Sequence, residues 1–427
     1  MEADTVDHAE YHRGGKKVQQ TVSFDRGGVH PVSRSRSMTI LAICFLVVLF
    51  DGFDTISITF VAPKLAELWG VSPAAMTPAF LGTSLGAVIG YMICGPLERH
   101  FGRRPVAVLS VVWFSAGTLA TTLVTGITGL AAIRFLTAVG LGAALPIAIS
   151  SATGTVTARH RGTAAILTAA GLSVGGVVAG ISGAPLMAQF GWPAVFIVGG
   201  VLPLILLPAI YLFIRDVGIR EDATRGGNPV AALFATGMAW RTILLWGFAF
   251  LVFVDAYALI FWIPSLLVSS GLPKTIAPAS AAAFSLGGMV GAVSLVFLIA
   301  RLGGVRTLMI PCLVGIGAIA FFSLAEPSPR ALMPVVFAMG AGFIACCVGQ
   351  SALAVALYPP QVRTTGVGWA AAAGRIGSVF GPAIGGAVVY LAWTPQQIVL
   401  TAVVPAGLAL LLLGVLSRQA TQPRPAA

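Results

Sequence analysis

The sequence predicts an all-α integral membrane protein in which twelve transmembrane helices form two pseudo-symmetric six-helix bundles. Three observations predict it. Of 427 residues, 57% are hydrophobic and 9% charged, with a mean hydropathy of +0.94, whereas a soluble domain carries about 25% charged residues. The chain falls into twelve apolar stretches, each near or above the roughly 20 residues that a helix needs to cross a bilayer. The second six stretches repeat the first at an offset of 201 to 202 residues.

In chain order the stretches run over about 38–62, 76–97, 105–125, 128–150, 163–186 and 193–214, then 242–268, 279–300, 305–325, 331–357, 363–391 and 397–417. The polar first 37 residues hold no short apolar core with a small-residue cleavage site, so the first stretch reads as a retained helix. Residues 1–37 are expected to form a disordered cytoplasmic tail, 38–214 the first bundle, 215–241 a cytoplasmic linker, 242–417 the second bundle and 418–427 a second tail. Of the 25 Lys and Arg residues, 20 fall in segments that this threading puts on one side, against Lys64, Lys274 and Arg330 on the other. The positive-inside rule makes the basic side, and with it both termini, cytoplasmic. Topology thus accounts for the net charge of +11 without a nucleic-acid partner. The five cysteines all sit in apolar stretches and read as packing residues rather than a disulfide framework.

The internal repeat is dense where it carries information. Asp54, Phe60, Pro63 and Leu65 fall on Asp255, Phe261, Pro264 and Leu266, and Ser84, Gly86 and Gly90 on Ser285, Gly287 and Gly291. One residue later in register, Phe135, Gly140, Gly175 and Gly183 fall on Phe337, Gly342, Gly377 and Gly385. A duplicated six-helix unit with a site near the midplane between its copies is a recurrent plan of secondary transporters. Glycines four apart, at Gly82, Gly86 and Gly90 and again at Gly377, Gly381 and Gly385, mark helix faces that touch closely. Such a face serves either static packing or sliding.

Five charged residues lie inside the apolar stretches: Asp51, Asp54, Asp255, Arg134 and Arg375. An ionised group in hydrocarbon costs roughly 3 kcal/mol or more, so these call for mutual pairing or a charged pathway. Asp51 and Asp54 are three residues apart and share a helix face. Asp54 and Arg134 come out at similar depth from the same side, so they can pair, while Asp255 and Arg375 lie near mid-membrane. One arginine per half is therefore expected to face the centre. A guanidinium suits a carboxylate ligand because it offers two parallel hydrogen bonds and a permanent charge. An aspartate in a low dielectric suits proton exchange. The five histidines, at 8, 12, 30, 100 and 160, are outside the stretches. Asp51, Asp54 and Asp255 are the proton-coupling candidates, with a fixed ion pair as the alternative for each. Arg375 and Arg134 are the substrate-binding candidates, Arg134 standing also as a structural partner of a first-helix aspartate. Phe53, Tyr257 and Trp369 are candidates to stack on an aromatic ring, or are packing residues.

Between the second and third stretches the chain reads Gly95-Pro-Leu-Glu-Arg-His-Phe-Gly-Arg-Arg104. This resembles the loop signature of the major facilitator superfamily, Gly-x-Leu-Ala-Asp-Arg-x-Gly-Arg-Lys/Arg, and the resemblance extends over all twelve helices. It implies a gating role for Gly95, Glu98, Gly102, Arg103 and Arg104. Here Arg99 occupies the place of the family's aspartate and His100 that of its arginine, so Glu98 must substitute in any latch or the latch is weak. Asp51-Gly-Phe-Asp54, the segment from Arg134 to Pro146, Arg363-Thr-Thr-Gly-Val-Gly368 and Gly374-Arg-Ile-Gly377 look like the aromatic acid:proton symporter family within that superfamily. That resemblance implies a monomeric importer of benzoate-, hydroxybenzoate- or phenylpropionate-type acids in a bacterial cytoplasmic membrane, with the proton as coupling ion and no other cofactor. The nearest rival is a proton-coupled exporter of drugs or another organic anion. Exporters resemble one another in a Gly-Pro-x-x-Gly-Gly element on the fifth helix, where this chain reads Gly183-Ala-Pro-Leu; the element stands instead at Gly381–Gly386. A non-transporting sensor would normally carry a sizeable signalling domain on a tail or loop, and the longest extramembrane segment, the first 37 residues, reads as disordered. An enzyme is disfavoured because no nucleophile-and-base pair or metal-ligand cluster is evident.

Overall fold

A computed structural model describes residues 34–157, 161–214, 231–234, 238–302, 304–325, 328–358 and 363–420; most of both expected tails and of the linker lie outside them. Regular structure among the described residues is helical throughout, and twelve segments are long and apolar enough to cross a membrane. The first six are α1 (Arg34–Leu68), α2 (Thr77–Phe101), α3 (Arg103–Ala120), α4 (Ile127–Gly154), α5 (Arg161–Phe190), and α6 (Pro193–Ile205) continued by α7 (Leu207–Phe213). The second six are α8 (Ala239–Ser269), α9 (Ile276–Leu302), α10 (Gly304–Leu324), α11 (Pro329–Leu357), α12 (Arg363–Tyr390), and α13 (Pro395–Thr401) continued by α14 (Val403–Ala420).

The sixth and twelfth spans are thus each broken once. Proline explains both breaks: Pro208 and Pro405 cannot donate to the carbonyls of Leu204 and Thr401 four residues earlier, and their rings crowd those carbonyls. Between α2 and α3 the chain reverses on Gly102, whose φ of 87° is open to glycine and strained for other residues. The break falls inside the Gly95–Arg104 loop.

Glycines set the helix pairs, and they do so twice. A Cβ at Gly86 would run into the carbonyl of Phe135, and one at Gly287 into that of Phe337, its repeat equivalent; this pairs α2 with α4 and α9 with α11. Gly175 meets the Leu49 carbonyl and Gly377 the Phe250 carbonyl in the same way, pairing α1 with α5 and α8 with α12. The two bundles touch where Gly180 on α5 lies against Pro278 and Ala282 on α9.

The buried apolar side chains divide unevenly. Away from the basic loops a single core runs through both bundles, from Phe60 and Phe80 to Phe261, Trp262 and Phe343. Toward the basic loops there are two separate cores, one built from residues of the first bundle and one from the second. Across the continuous core, Phe80 of α2 stacks on Phe261 of α8 at 4.8 Å and meets Trp262 edge-on at 5.2 Å. At its rim Glu67 pairs with Lys64 at 3.0 Å and with Lys274 of the other half at 2.5 Å. The bundles are sealed on one side.

Candidate functional site

The structure separates the two aspartates of α1. Asp54 turns into the first bundle, where Arg134 Nη1 and Nη2 donate to its two oxygens at 3.1 and 2.7 Å. Thr118 Oγ1 donates to the same carboxylate at 2.7 Å, and Arg134 Nε reaches Thr83 Oγ1 at 3.4 Å. Both charges are wholly buried. The pairing expected from helix depth is present, but the expectation that Arg134 faces the centre is not met: the fork of the guanidinium is occupied inside the bundle. Desolvation gives the reason, since a buried arginine needs its counter-charge at hand.

Asp51 instead lines a small cavity between the bundles with Thr55, Ser84, Tyr91, Tyr257 and Arg375. Leu141 and Leu172 close it. Arg375 reaches the cavity because Gly374 and Gly377 let α12 lie against α8; a Cβ at Gly374 would press on the Phe253 ring. Its Nη1 donates to the Tyr257 hydroxyl at 2.9 Å and its Nη2 to the Tyr91 hydroxyl at 2.7 Å. The guanidinium also lies 4.4 Å over the Tyr91 ring and 5.8 Å from that of Phe253, which is itself stacked with Tyr257 at 5.9 Å. Among the described residues, no carboxylate lies within ion-pair distance of Arg375. The cavity thus presents a permanent positive charge, aromatic faces, hydroxyls and one carboxyl group. That set matches the chemistry of a small aromatic anion, and at about 30 Å³ the cavity must widen to admit one.

Three further candidates lie elsewhere. Phe53 packs into the first bundle against Gly199. Trp369 is on the surface, stacked on Trp246 at 5.6 Å. Asp255 is fully buried on a different face of α8 from Tyr257, two residues away. Sequence reasoning missed Tyr91, which ties α2 of one half to Arg375 of the other; the signal was a tyrosine seven residues after Ser84 on one polar stripe of an apolar helix. In the loop, Arg103 Nε donates to Glu98 Oε1 at 2.7 Å, and Arg104 Nε to the Ile214 carbonyl at 2.8 Å. Glu98, in the last turns of α2, therefore pairs with a residue five positions on, at the start of α3.

Residues 44–348 match the Major Facilitator Superfamily. The chain belongs to that superfamily. Its members are transporters, so this chain is a multi-pass membrane transporter and not an enzyme. The chain is 31% identical to a gallate transporter of Pseudomonas putida, over 82% of this chain and 85% of that one. It is 34% identical to a 3-(3-hydroxyphenyl)propionate transporter of Escherichia coli, over 84% and 89%. Both relatives are aromatic acid transporters, in agreement with the family resemblance carried by the Asp51 and Arg375 motifs. Among solved structures, a bacterial homologue of the human lysosomal transporter Spinster, in an inward-facing and unoccupied conformation, superposes with a TM-score of 0.70 at 20% identity, covering 92% of this chain and 100% of that one. At that identity the likeness concerns the fold.

Proposed function

We propose that this chain imports an aromatic carboxylate with protons, by alternating access, as a monomer in a bacterial cytoplasmic membrane with both termini in the cytoplasm. The observation that carries the reading is Arg375, placed between the bundles with two of its N–H groups on tyrosines and, among the described residues, no carboxylate paired to it. Three donors remain for an incoming carboxylate. Tyr91, Tyr257 and Phe253 supply ring faces for the rest of the ligand. The gallate and hydroxyphenylpropionate transporters among its relatives support this substrate class.

Asp51 in the same cavity supplies a reason for coupling. A substrate carboxylate arriving beside an ionised Asp51 would set two negative charges against one guanidinium at close range, a costly arrangement in a low dielectric. A proton on Asp51 removes the conflict, so substrate and proton enter together. When the substrate leaves, Asp51 releases its proton and becomes the counter-charge that Arg375 otherwise lacks. Alternation draws support from the cores, joined on one side of the cavity and separate on the other.

The test is uptake of labelled benzoates, hydroxybenzoates and phenylpropionates into cells with and without the protein. At least one should accumulate against its gradient, more strongly as external pH is lowered because the proton is a co-substrate, and accumulation should collapse with a protonophore. Accumulation indifferent to both treatments would assign another coupling ion or none.

A further inference from the structure

The two tyrosines on Arg375 each have a donor to spare. Arg375 Nη1 and Nη2 donate to the hydroxyl oxygens of Tyr257 and Tyr91 at 2.9 and 2.7 Å, so each hydroxyl acts there as an acceptor. A phenolic hydroxyl is also a donor, and the hydrogens of these two meet no acceptor among the described residues. Thr55 and Thr83 in the same wall already use theirs, on Asp51 and on the Ala79 carbonyl. Tyr91 and Tyr257 line the cavity beside Arg375 and neither is fully buried, so an oxygen bound to the guanidinium lies within reach of both hydroxyls.

The helix framework does not call for this trio. At the repeat offset Tyr91, Tyr257 and Arg375 correspond to Ala292, Ile56 and Ser173. The other half therefore builds the same helices with two apolar side chains and one small hydroxyl at these places. Tyr257 and Arg375 come from α8 and α12 of the second bundle and Tyr91 from α2 of the first, so docking of the bundles assembles the group.

We propose that Tyr91 and Tyr257 are direct ligands of the substrate carboxylate, each hydroxyl donating to one of its oxygens while Arg375 faces both. This rests on the aromatic-acid reading above and adds the residues that complete its site. A carboxylate has about four lone-pair sites, and each one left unmet on burial is costly. The guanidinium can supply two parallel hydrogen bonds. The hydroxyls beside its two terminal nitrogens supply the other two. Donation from nitrogen to a phenolic oxygen polarises the O–H, so the arginine makes each tyrosine a stronger donor. The arrangement is also selective. A carboxamide has one acceptor oxygen, and its NH2 group would face a donor hydroxyl where the acid presents lone pairs.

The experiment is equilibrium binding of 4-hydroxybenzoate, gallate and 3-(3-hydroxyphenyl)propionate to the purified full chain in lipid nanodiscs. Removing one hydroxyl, in Tyr91→Phe or in Tyr257→Phe, should weaken the best-bound acid by about tenfold or more. A tyrosine that merely props Arg375 would give the same loss. The deciding variant therefore carries 3,5-difluorotyrosine in place of Tyr91, read at a pH where absorbance shows that phenol un-ionised. Fluorine makes the O–H a better donor, and makes the oxygen and the ring poorer partners for a cation. A donor role then tightens binding by about twofold or more. A propping role weakens it. Full affinity in either Phe variant, or binding that difluorotyrosine at position 91 fails to tighten, overturns the proposal and leaves the aromatic-acid reading in place. Failure of the wild type to bind any of the three acids overturns both.

Discussion

Asp54 and Arg134 hold each other through two hydrogen bonds in a site from which water is excluded, with Thr118 and Thr83 meeting the remaining groups. Asp54→Asn would leave the guanidinium buried without its charge partner, a loss of about 3–5 kcal/mol. The variant should unfold at markedly lower temperature and accumulate poorly in the membrane. If it keeps wild-type stability and loses only proton-driven accumulation, the pair belongs to coupling and not to architecture. Arg375 answers to a different measurement. Replacing it by lysine keeps the charge but not the planar fork, and a lost bond to a charged group is worth about 1.5–3 kcal/mol. Binding of an aromatic acid to purified Arg375→Lys should therefore weaken by about tenfold to over a hundredfold. Unchanged affinity would remove Arg375 from the substrate site.

Helices approach each other here through glycine, and the consequences can be read position by position. At Gly175 a methyl group would strike the backbone of α1 at Leu49, which no side-chain rotation relieves, so Gly175→Ala should destabilise the α1–α5 pair. At Gly317 nothing lies within 4 Å, and Gly317→Ala should be neutral or stabilising by up to about 1 kcal/mol. Thermal unfolding of the two variants separates the cases; equal effects would mean that the α1–α5 distance adjusts. Span number, helical class and the glycine faces were legible because hydropathy and small-residue spacing act locally along the chain. The azimuth of single side chains was less so. Phe53 and Trp369 stand at plausible depth yet face into a bundle and onto the surface, because rotation about the helix axis is fixed by neighbours distant in sequence. The Asp54–Arg134 contact was readable since both charges had to find partners at matching depth, whereas Tyr91, able to rest in an apolar helix unpaired, gave no such compulsion.

The whole molecule has one joined side and one divided side, although its two halves repeat each other at spaced positions in sequence; nothing in a repeat pattern tells which side closes. The Glu67–Lys274 pair spans the joined side beside the Phe80, Phe261 and Trp262 cluster. Lys274→Glu would set like charges there. Since an exposed pair contributes little in water, opening of that side should rise only by a small factor. The rate at which a water-soluble thiol reagent labels Thr77→Cys, whose native threonine packs on Gly386 of the other half, reads that opening. An unchanged rate would leave the aromatic contact as what holds the halves together. The Asp54–Arg134 pair has one more consequence, and it concerns how the chain is made. The partners are 80 residues apart, so at about 5–20 residues per second the first helix waits roughly 4 to 16 seconds for the fourth. During that interval Asp54 has no counter-ion, and the nascent α1 is held in the membrane by hydrophobicity alone. Synthesis of this protein therefore passes through a moment at which the insertion machinery must retain an acidic helix, and truncated nascent chains ending before Arg134 should slip back out of the bilayer more readily than chains that include it.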